Sequence, residues 1–426
     1  MPANHHQALG LYISIPFCRS KCTYCNFASG VYPASEHARY VDRLIEDLQA
    51  APAWSAQMHL DLPRTVDTVY LGGGTPSLLA PELFQRLFAA IRAQFQLDPD
   101  AEITVECAPG QIADATLDAF QSAGVNRASL GVQSFIDREA QVSGRLHNRQ
   151  TVLNDLRRLR DAGIANLNVD LITGLAGQTH ASWEESFTVL LDSGVPHASV
   201  YMLEVDEDSR LGREMLSGGA RYHAELVPND DAIAQMYTRV LERLAQAGLL
   251  QYEISNFSRP DFESRHNLRY WQRRPYLGFG LDASSMTIHA ADFSSSAAAD
   301  PASRFVLRST TTSDLKEFLA GPTPAETAWL SPARQHEEAW FLGLRLNRGV
   351  DVEALECEFG HERVARAMQV VERLTADGLL KSNGKTVRLT PRGQMISNDV
   401  FQEFLGLEAG EADLSGLQLA ESRTSG

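Results

Sequence analysis

Residues 11–27 read LYISIPFCRSKCTYCNF, a short apolar run that leads directly into three cysteines. Cys18, Cys22 and Cys25 have the spacing C-x3-C-x2-C. A cluster of four irons normally takes four thiolates, so three thiolates from one short loop leave one iron free to bind a small molecule. The spacing therefore predicts a 4Fe–4S cluster with an open iron at the end of the first strand.

The number and positions of the cysteines restrict what this loop can be. The chain contains five cysteines, and Cys107 and Cys357 are isolated from the loop and from each other. An odd count in a chain of 426 residues argues against a disulfide framework. Zinc stays open as an alternative because short-spaced cysteines bind it, although zinc sites usually combine two separated pairs. The iron–sulfur interpretation is favoured.

The composition limits the classes of protein to which this chain can belong and the kinds of partner that it can bind. The net charge is −16, which argues against a nucleic-acid partner because phosphate binding needs a basic surface. The sequence has no apolar run long enough to span a membrane and no secretory leader pattern. We therefore expect a cytoplasmic location, where thiols stay reduced.

The first 200 residues alternate between short apolar runs and stretches with helical periodicity. The six apolar runs cover residues 11–17, 68–71, 102–107, 127–132, 166–172 and 198–203. Six β-then-α units in succession predict an α/β fold with a parallel sheet. The length of this region suits a partial parallel (β/α)6 barrel, similar to an incomplete TIM barrel.

The rest of the chain changes in composition and suggests a second domain. We expect an N-terminal tail over 1–10, the barrel and its extension over 11–289, a linker over 290–323, a small domain over 324–405 and a disordered tail over 406–426.

The small domain has the pattern of two helices followed by a β-ribbon. Residues 326–346 have the period of one long amphipathic helix, a second helical pattern runs to residue 380, and residues 386–393 follow as a short strand and turn. This α+β arrangement resembles a winged-helix-like module. Such a module can bind DNA, but the acidity of the chain favours a contact with protein or a lid.

Polar residues recur where the predicted parallel strands end, and those ends form the functional face of such barrels. The features are the cysteine loop, the run GGGTP at 72–76, Glu106 with Pro109-Gly110, Gln133-Ser134, Asp170 with Thr173-Gly174, and Glu204. Glu106 and Asp170 lie within apolar runs, so each needs a partner. That partner is either an arginine, such as Arg127 or Arg145, or the ammonium or ribose hydroxyls of a ligand.

These motifs resemble those of a known superfamily. The C-x3-C-x2-C loop after a first strand, followed by GGGTP, resembles the radical S-adenosylmethionine (SAM) superfamily. The runs YISIPFC (12–18), GVQSF (131–135) and NVDL (168–171) are similar to those of the oxygen-independent coproporphyrinogen III oxidase-like family. Within it, Asn26-Phe27, where the oxidases have a further cysteine, and HNLRYW (266–271) resemble the haem chaperone group HemW.

The resemblance covers about residues 10–405 and implies two cofactors and a cargo. It implies a 4Fe–4S cluster on Cys18, Cys22 and Cys25, with SAM on the fourth iron. The SAM contacts implied by matched position are Tyr12, Tyr24, Gly73, Gly74, Thr75, Glu106, Gln133, Arg145 and Asp170. Haem is the implied cargo, and a haemoprotein is the implied recipient. His266 is the candidate haem contact, with Tyr270 and Trp271 packing on the porphyrin, but a hydrogen-bonded structural histidine is the alternative.

The chain also departs from the family pattern. Ser14 and Ser284 stand where the family usually has histidines, and a hydroxyl cannot replace an imidazole as an iron ligand or proton shuttle. The alternative function is therefore a radical SAM oxidoreductase that acts on a porphyrinogen or another substrate. Such an enzyme would need an electron donor such as flavodoxin or ferredoxin. No catalytic residue is assigned from the sequence.

Overall fold

The computed structural model describes residues 8–289, 305–322 and 326–407. The predicted tails fall almost wholly outside these ranges, as does the first part of the predicted linker. In the described part of the chain, no helix has the length and apolarity needed to cross a membrane.

Sixteen strands are found in the described residues, and most of them join one large sheet. They are β1 (Leu9–Ile15), β2 (Leu60–Asp61), β3 (Thr65–Gly73), β4 (Gln96–Cys107), β5 (Arg127–Gln133), β6 (Asn166–Thr173), β7 (His197–Met202), β8 (Leu250–Glu253), β9 (Asn256–Ser258), β10 (Tyr276–Phe279), β11 (Ser284–His289), β12 (Val306–Thr310), β13 (Glu326–Leu330), β14 (Val350–Asp351), β15 (Leu380–Ser382) and β16 (Thr386–Leu389).

Fifteen α-helices are found in the same residues, and the early ones connect the parallel strands. They are α1 (Ala34–Gln57), α2 (Pro81–Gln94), α3 (Asp114–Ala123), α4 (Asp137–Val142), α5 (Arg149–Asp161), α6 (His180–Ser193), α7 (Arg210–Ser217), α8 (Asp230–Gln246), α9 (Arg265–Trp271), α10 (Leu315–Ala320), α11 (Pro332–Leu344), α12 (Val352–Phe359), α13 (His361–Ala376), α14 (Pro391–Met395) and α15 (Ser397–Gln402).

The six predicted strands form a parallel array in the predicted order, which confirms the fold class. Strands β1, β3, β4, β5, β6 and β7 lie side by side, each parallel to its neighbour. Strand β10 adds a seventh parallel strand on the free side of β1. Antiparallel strands continue the sheet at both edges, so its strand order stays open rather than closing into a full barrel.

Successive side chains along a strand point to opposite faces of the sheet, and here one face is apolar and the other is polar. On β5, the side chains of Ala128, Leu130 and Val132 are fully buried in the main hydrophobic core under the helices. Arg127 and Ser129 alternate with them and face a cavity on the inner side. Complete barrels usually fill this interior with branched apolar side chains, whereas here it is lined with polar groups.

The predicted linker and the predicted long helix are wrong in part. Residues 306–310 and 315–320, assigned to the linker over 290–323, form β12 and α10. Residues 326–330, assigned to the helix over 326–346, form β13, which pairs with β12 across its whole length. This long-range pairing overrides the local helical period. The helix starts only after Ser331, which caps it, with Pro332 in its first turn.

The C-terminal unit is the small α+β domain expected from the sequence. Helices α11, α12 and α13 pack against a three-stranded antiparallel sheet of order β14-β16-β15. A separate core holds this domain together, with Trp340, Val371 and Val387 fully buried at its centre. Because β13 belongs to the large sheet, the domain begins near Ser331 rather than at residue 324.

Candidate cofactor site

A cavity of about 980 Å³ opens at the carboxyl ends of the parallel strands and extends into the sheet interior; we call it the chamber. Its lining includes all three loop cysteines and eight of the nine predicted SAM contacts, namely Tyr24, Gly73, Gly74, Thr75, Glu106, Gln133, Arg145 and Asp170. The ninth, Tyr12, lies outside the lining and stacks on Tyr70, which is part of it. The structure thus brings the predicted strand-end features to one place.

Hydrogen bonds from three directions fix the cysteine loop on the chamber wall. The backbone N–H of Cys18 donates to the carbonyl of Gly30 at 2.8 Å, and the hydroxyl of Thr75 lies 3.8 Å from the Cys18 sulfur. The Nη1 group of Arg145 donates to the Cys22 sulfur at 3.4 Å. The loop is therefore tied both to the glycine turn after β3 and to the segment after α4.

The charges around the loop favour thiolates. Burial raises the pKa of the Cys18 thiol, so this sulfur needs a cation to become a ligand. Burial alone would lower the pKa of Arg145, but Tyr24 and Cys22 outweigh it and raise the value, so the guanidinium stays charged. A permanent cation thus lies beside one of the three sulfurs.

The donor set suits a cluster more than a single ion. In the described residues, no group of three His, Cys, Asp or Glu side chains converges on one point as a mononuclear metal site would require. A 4Fe–4S cube does not require such convergence because each thiolate binds a different iron. The three thiols on one wall fit that requirement, and zinc remains an alternative for metal analysis.

The glycine run after β3 creates close contact with β1. Gly73 has a φ of +98°, and a Cβ there would lie 2.8 Å from the Ser14 hydroxyl. The backbone N–H groups of Gly74 and Thr75 donate to the carbonyls of Ile15 and Phe17 at 2.9 and 2.8 Å. These donors are used within the protein, and the glycines allow the turn after β3 to pack closely against β1 and the residues that follow it.

Glu106 and Asp170 face the chamber without an ion pair. The hydroxyl of Tyr70 donates to Glu106 at 2.8 Å, and burial raises the pKa of this carboxyl to about 7. Asp170 accepts hydrogen bonds from Asn168 at 2.7 Å and from Ser129 at 3.1 Å, and burial raises its pKa as well. Neither carboxylate pairs with an arginine in the described residues, which supports the ligand-binding alternative.

The side chain of Gln133 carries an acceptor that no described residue satisfies. Its Oε1 atom is buried and has no hydrogen-bond partner in the described ranges, and its side chain lines the chamber. Its backbone has a φ of +70°, beside an irregularity in the pairing of β5 with β6. Strained backbone and an unpaired buried acceptor are both typical of a ligand site. A ribose hydroxyl would complete this group.

The HNLRYW run does not reach the chamber through its predicted haem contacts. His266 is 1% exposed; its Nδ1 lies 2.9 Å from the Thr68 hydroxyl and its Nε2 lies 2.8 Å from the Tyr270 hydroxyl. Burial lowers its pKa to about 3, so the ring is neutral. Trp271 packs under the Arg345 guanidinium, 4.3 Å from it. This arrangement corresponds to the structural alternative for His266.

Acidic residues missed in the sequence hold α9 in place. The carboxylate of Glu102 accepts the backbone N–H groups of Arg265 and His266, both at 3.0 Å. Fully buried Arg269 forms an ion pair with Asp67. The signal for both acids was available, because Asp67 lies near the start of β3 and Glu102 is the first residue of the apolar run 102–107.

Ser14 and Ser284, which stand where the family usually has histidines, lie on two different strands of the large sheet. Ser14 is buried beside the glycine turn, and its carbonyl accepts the Tyr40 hydroxyl at 2.8 Å. Ser284 lies on β11, and its hydroxyl is 3.1 Å from that of Thr310. Of the two, only Ser14 is next to the cofactor side of the sheet.

Comparisons with known proteins agree with this geometry. A family model described as the radical SAM superfamily matches residues 12–190, and one described as the HemN C-terminal domain matches residues 330–396. A protein of Lactococcus lactis named heme chaperone HemW is 32% identical over 92% of this chain and 96% of its own length. A protein of the same name from Bacillus subtilis is 32% identical over 93% and 98%.

The solved structures support the fold. The coproporphyrinogen III oxidase HemN of Escherichia coli, described as a radical SAM enzyme, superposes with a TM-score of 0.77. The match covers 93% of this chain and 90% of that one at 22% sequence identity. Together with the near full-length similarity to the curated relatives, these matches show that the chain belongs to the HemW family, within the radical SAM superfamily.

Proposed function

We propose that this protein binds haem and delivers it to haemoproteins while carrying a 4Fe–4S cluster ligated by SAM. One observation carries the proposal: relatives named heme chaperone HemW match this chain over more than nine-tenths of both lengths, small C-terminal domain included. The acidic chain and its reduced thiols suit the cytoplasm.

Different residues of the chamber would bind the cluster and SAM. Cys18, Cys22 and Cys25 would hold the cluster, and membership of the radical SAM superfamily implies both the cluster and SAM. When bound, this pair supplies one-electron chemistry. Gln133 and Asp170 offer acceptors to ribose hydroxyls.

The side chains of Glu106 and Arg145 would orient the amino-acid end of SAM. Glu106, with its pKa near 7, offers a carboxylate to an ammonium group. Arg145 stays charged beside the cluster loop, where it offers donors to a carboxylate.

The chamber has room for a large guest beside the cofactors. Its volume of about 980 Å³ is near the upper end of the range for ligand sites. Exposed Phe27 and Leu146 line its mouth and offer apolar surface to a flat macrocycle. His266 could ligate haem iron only after releasing Thr68 and Tyr270. We therefore place the haem in the chamber and give His266 a structural role.

Titration of haemin into the anaerobic protein tests this proposal. We expect a saturable Soret-band complex in the wild type, in His266→Ala and in the control His180→Ala, which alters an exposed residue of α6. Loss of the complex in His266→Ala alone, with the fold retained, would return haem ligation to His266. The absence of any complex in the wild type would refute haem binding.

A radical SAM oxidoreductase is the second candidate function, and the depth of the chamber favours it. Tyr70, Ser129 and Asn168 continue the polar lining around Glu106 and leave space for a substrate next to the cofactor. An electron donor such as flavodoxin or ferredoxin would then be a partner. Formation of 5′-deoxyadenosine by the reconstituted, dithionite-reduced protein with a porphyrinogen would support it. No cleavage above the level of Cys22→Ala would exclude it.

A further inference from the structure

Arg127 is a buried cation at the inner end of the chamber. It is the first residue of β5 and is level with Thr104 of β4 and Asn166 of β6. The side chain is 2% exposed and belongs to the chamber lining. Arg127 lies six positions before Gln133 on β5, about 20 Å at the usual strand rise, and two positions below the level of Glu106 on β4.

The Arg127 guanidinium has no hydrogen-bond or ion-pair partner among the residues that the structure describes. Its Nε atom is buried without a hydrogen bond, and no hydrogen bond or ion pair joins its side chain to any residue in the described ranges. Arg269, which is buried to the same degree, has Asp67 as a counter-ion. An unpaired buried charge costs several kcal/mol, by order of magnitude, so an anion is expected to occupy this site in the working protein.

The nearest acids do not fill that role. Glu106 and Asp170 feel the positive charge of Arg127, but their oxygens accept hydrogen bonds from Tyr70 and from Ser129 and Asn168. Burial raises the pKa of Glu106 to about 7, which weakens it as a counter-ion near neutral pH, and it raises the pKa of Asp170 as well.

Two other arginines of the chamber lining already make contacts within the protein. Arg145 donates to Cys22 and to the carbonyl of Gly131, and Arg345 lies over the ring of Trp271. Arg127 is a buried arginine of the lining whose side chain has no hydrogen bond or ion pair in the described ranges, so its planar set of donors is free to bind a guest in the chamber. That geometry matches a carboxylate held by two parallel hydrogen bonds.

We propose that Arg127 binds a propionate carboxylate of a tetrapyrrole whose macrocycle lies in the chamber. This inference rests on the proposed function, because it presumes a tetrapyrrole guest. The guest would enter propionate first, with its carboxylate on Arg127 and its ring below the cofactor.

Esterification of the guest tests the proposal without involving iron ligation. The probes are metal-free protoporphyrin IX and its dimethyl ester, which share the macrocycle and differ in the propionate charge. Binding is measured by porphyrin fluorescence on wild type, Arg127→Gln, Arg127→Lys and the control Arg157→Gln, which removes an exposed arginine of α5.

We expect the wild type to bind the free acid about 10- to 100-fold more tightly than the ester, the strength of a charge-assisted hydrogen-bonding pair. Arg127→Gln should lose this preference through weaker binding of the free acid, with binding of the ester and of SAM unchanged. Arg127→Lys should retain part of the preference, and Arg157→Gln all of it. Guest-free Arg127→Gln should melt at or above the wild-type temperature, because it removes an unpaired charge.

Three results would overturn the inference. A preference that persists in Arg127→Gln would show that another residue binds the propionate, while tetrapyrrole binding itself would stand. A clear drop in the melting temperature of Arg127→Gln would assign the arginine to the fold. Failure of the wild type to bind either porphyrin would refute the proposed tetrapyrrole function, and this inference with it.

Discussion

Glu106 places a carboxylate on the chamber wall, where hydrogen bonds from Tyr70 and the backbone of Gly73 and the charge of Arg127 stabilise its ionised form. Burial raises its pKa from an ordinary value of 4.5 to about 7. The folded state therefore holds the proton more tightly than the unfolded state does. Its contribution to stability is full below about pH 4.5 and is lost as the pH rises through 7.

Replacement of Glu106 by glutamine should remove this pH dependence. We compare the free energies of unfolding of the SAM-free Glu106→Gln variant and the wild type. The variant's value relative to wild type should be up to about 3 kcal/mol higher at pH 8 than at pH 4.5. Urea unfolding of both proteins at several pH values measures this difference in the free energy of unfolding. A difference between the two proteins that does not change with pH would show that Glu106 is ionised freely in the fold.

At the level of residues, the sequence located the rim of the site but not its depth. The cysteines, Gly73 and Asp170 follow apolar runs, so strand-end logic was sufficient to find them. Ser129 and Asn168 lie within strands, and their inward direction depends on the register of β5 and β6. His266 was assigned to haem from its motif, but its distance from the loop depends on where α9 packs.

Among the elements, α9 depends on one buried ion pair. Arg269 is wholly buried and donates to Asp67 as well as to the carbonyls of Ala8 and Pro275, both at 2.9 Å. It therefore joins α9 to three separate strands or strand ends of the sheet. A buried pair is more sensitive to the loss of one partner than a surface pair is.

Arg269→Met should lower the free energy of unfolding by about 3 kcal/mol because Asp67 would keep a buried charge and lose the one fully buried arginine of its three partners, Arg265, Arg269 and Arg274. The control Arg86→Met breaks the exposed pair with Asp42 and should cost less than about 1 kcal/mol. Chemical denaturation of the three proteins makes the comparison. Equal losses in both variants would contradict the role given to this ion pair.

The sequence predicted parallel strands better than the antiparallel extension. Each of the six central strands is an apolar run followed by a helix, and Gly124 ends α3 with the left-handed turn expected of a helix cap. Strands β10, β12 and β13 were missed because they are short and pair with distant segments. Local periodicity does not contain that information.

For the whole molecule, the small domain completes the chamber. Gln394, Met395 and Asp399, from α14, α15 and their neighbours, form part of its lining together with strands of the large sheet. The carbonyl of Arg345 also accepts the N–H of Ile254, which links the domain to the turn between β8 and β9. The proposed guest would thus contact both domains, in keeping with the lid or protein-contact role expected for this module.

The central claim is that three cysteines of one loop hold a 4Fe–4S cluster whose open iron binds SAM. Its most direct test is electron paramagnetic resonance of the anaerobically reconstituted, reduced protein, with and without SAM, alongside iron and sulfide analysis. We predict about four irons and four sulfides per chain and a cluster signal that changes when SAM is added. Cys22→Ala should lose the iron and sulfide as well as the cluster signal. Cys107→Ala, which alters a buried cysteine outside the loop, should keep them. Zinc without sulfide in the wild type, or a spectrum indifferent to SAM, would contradict the claim.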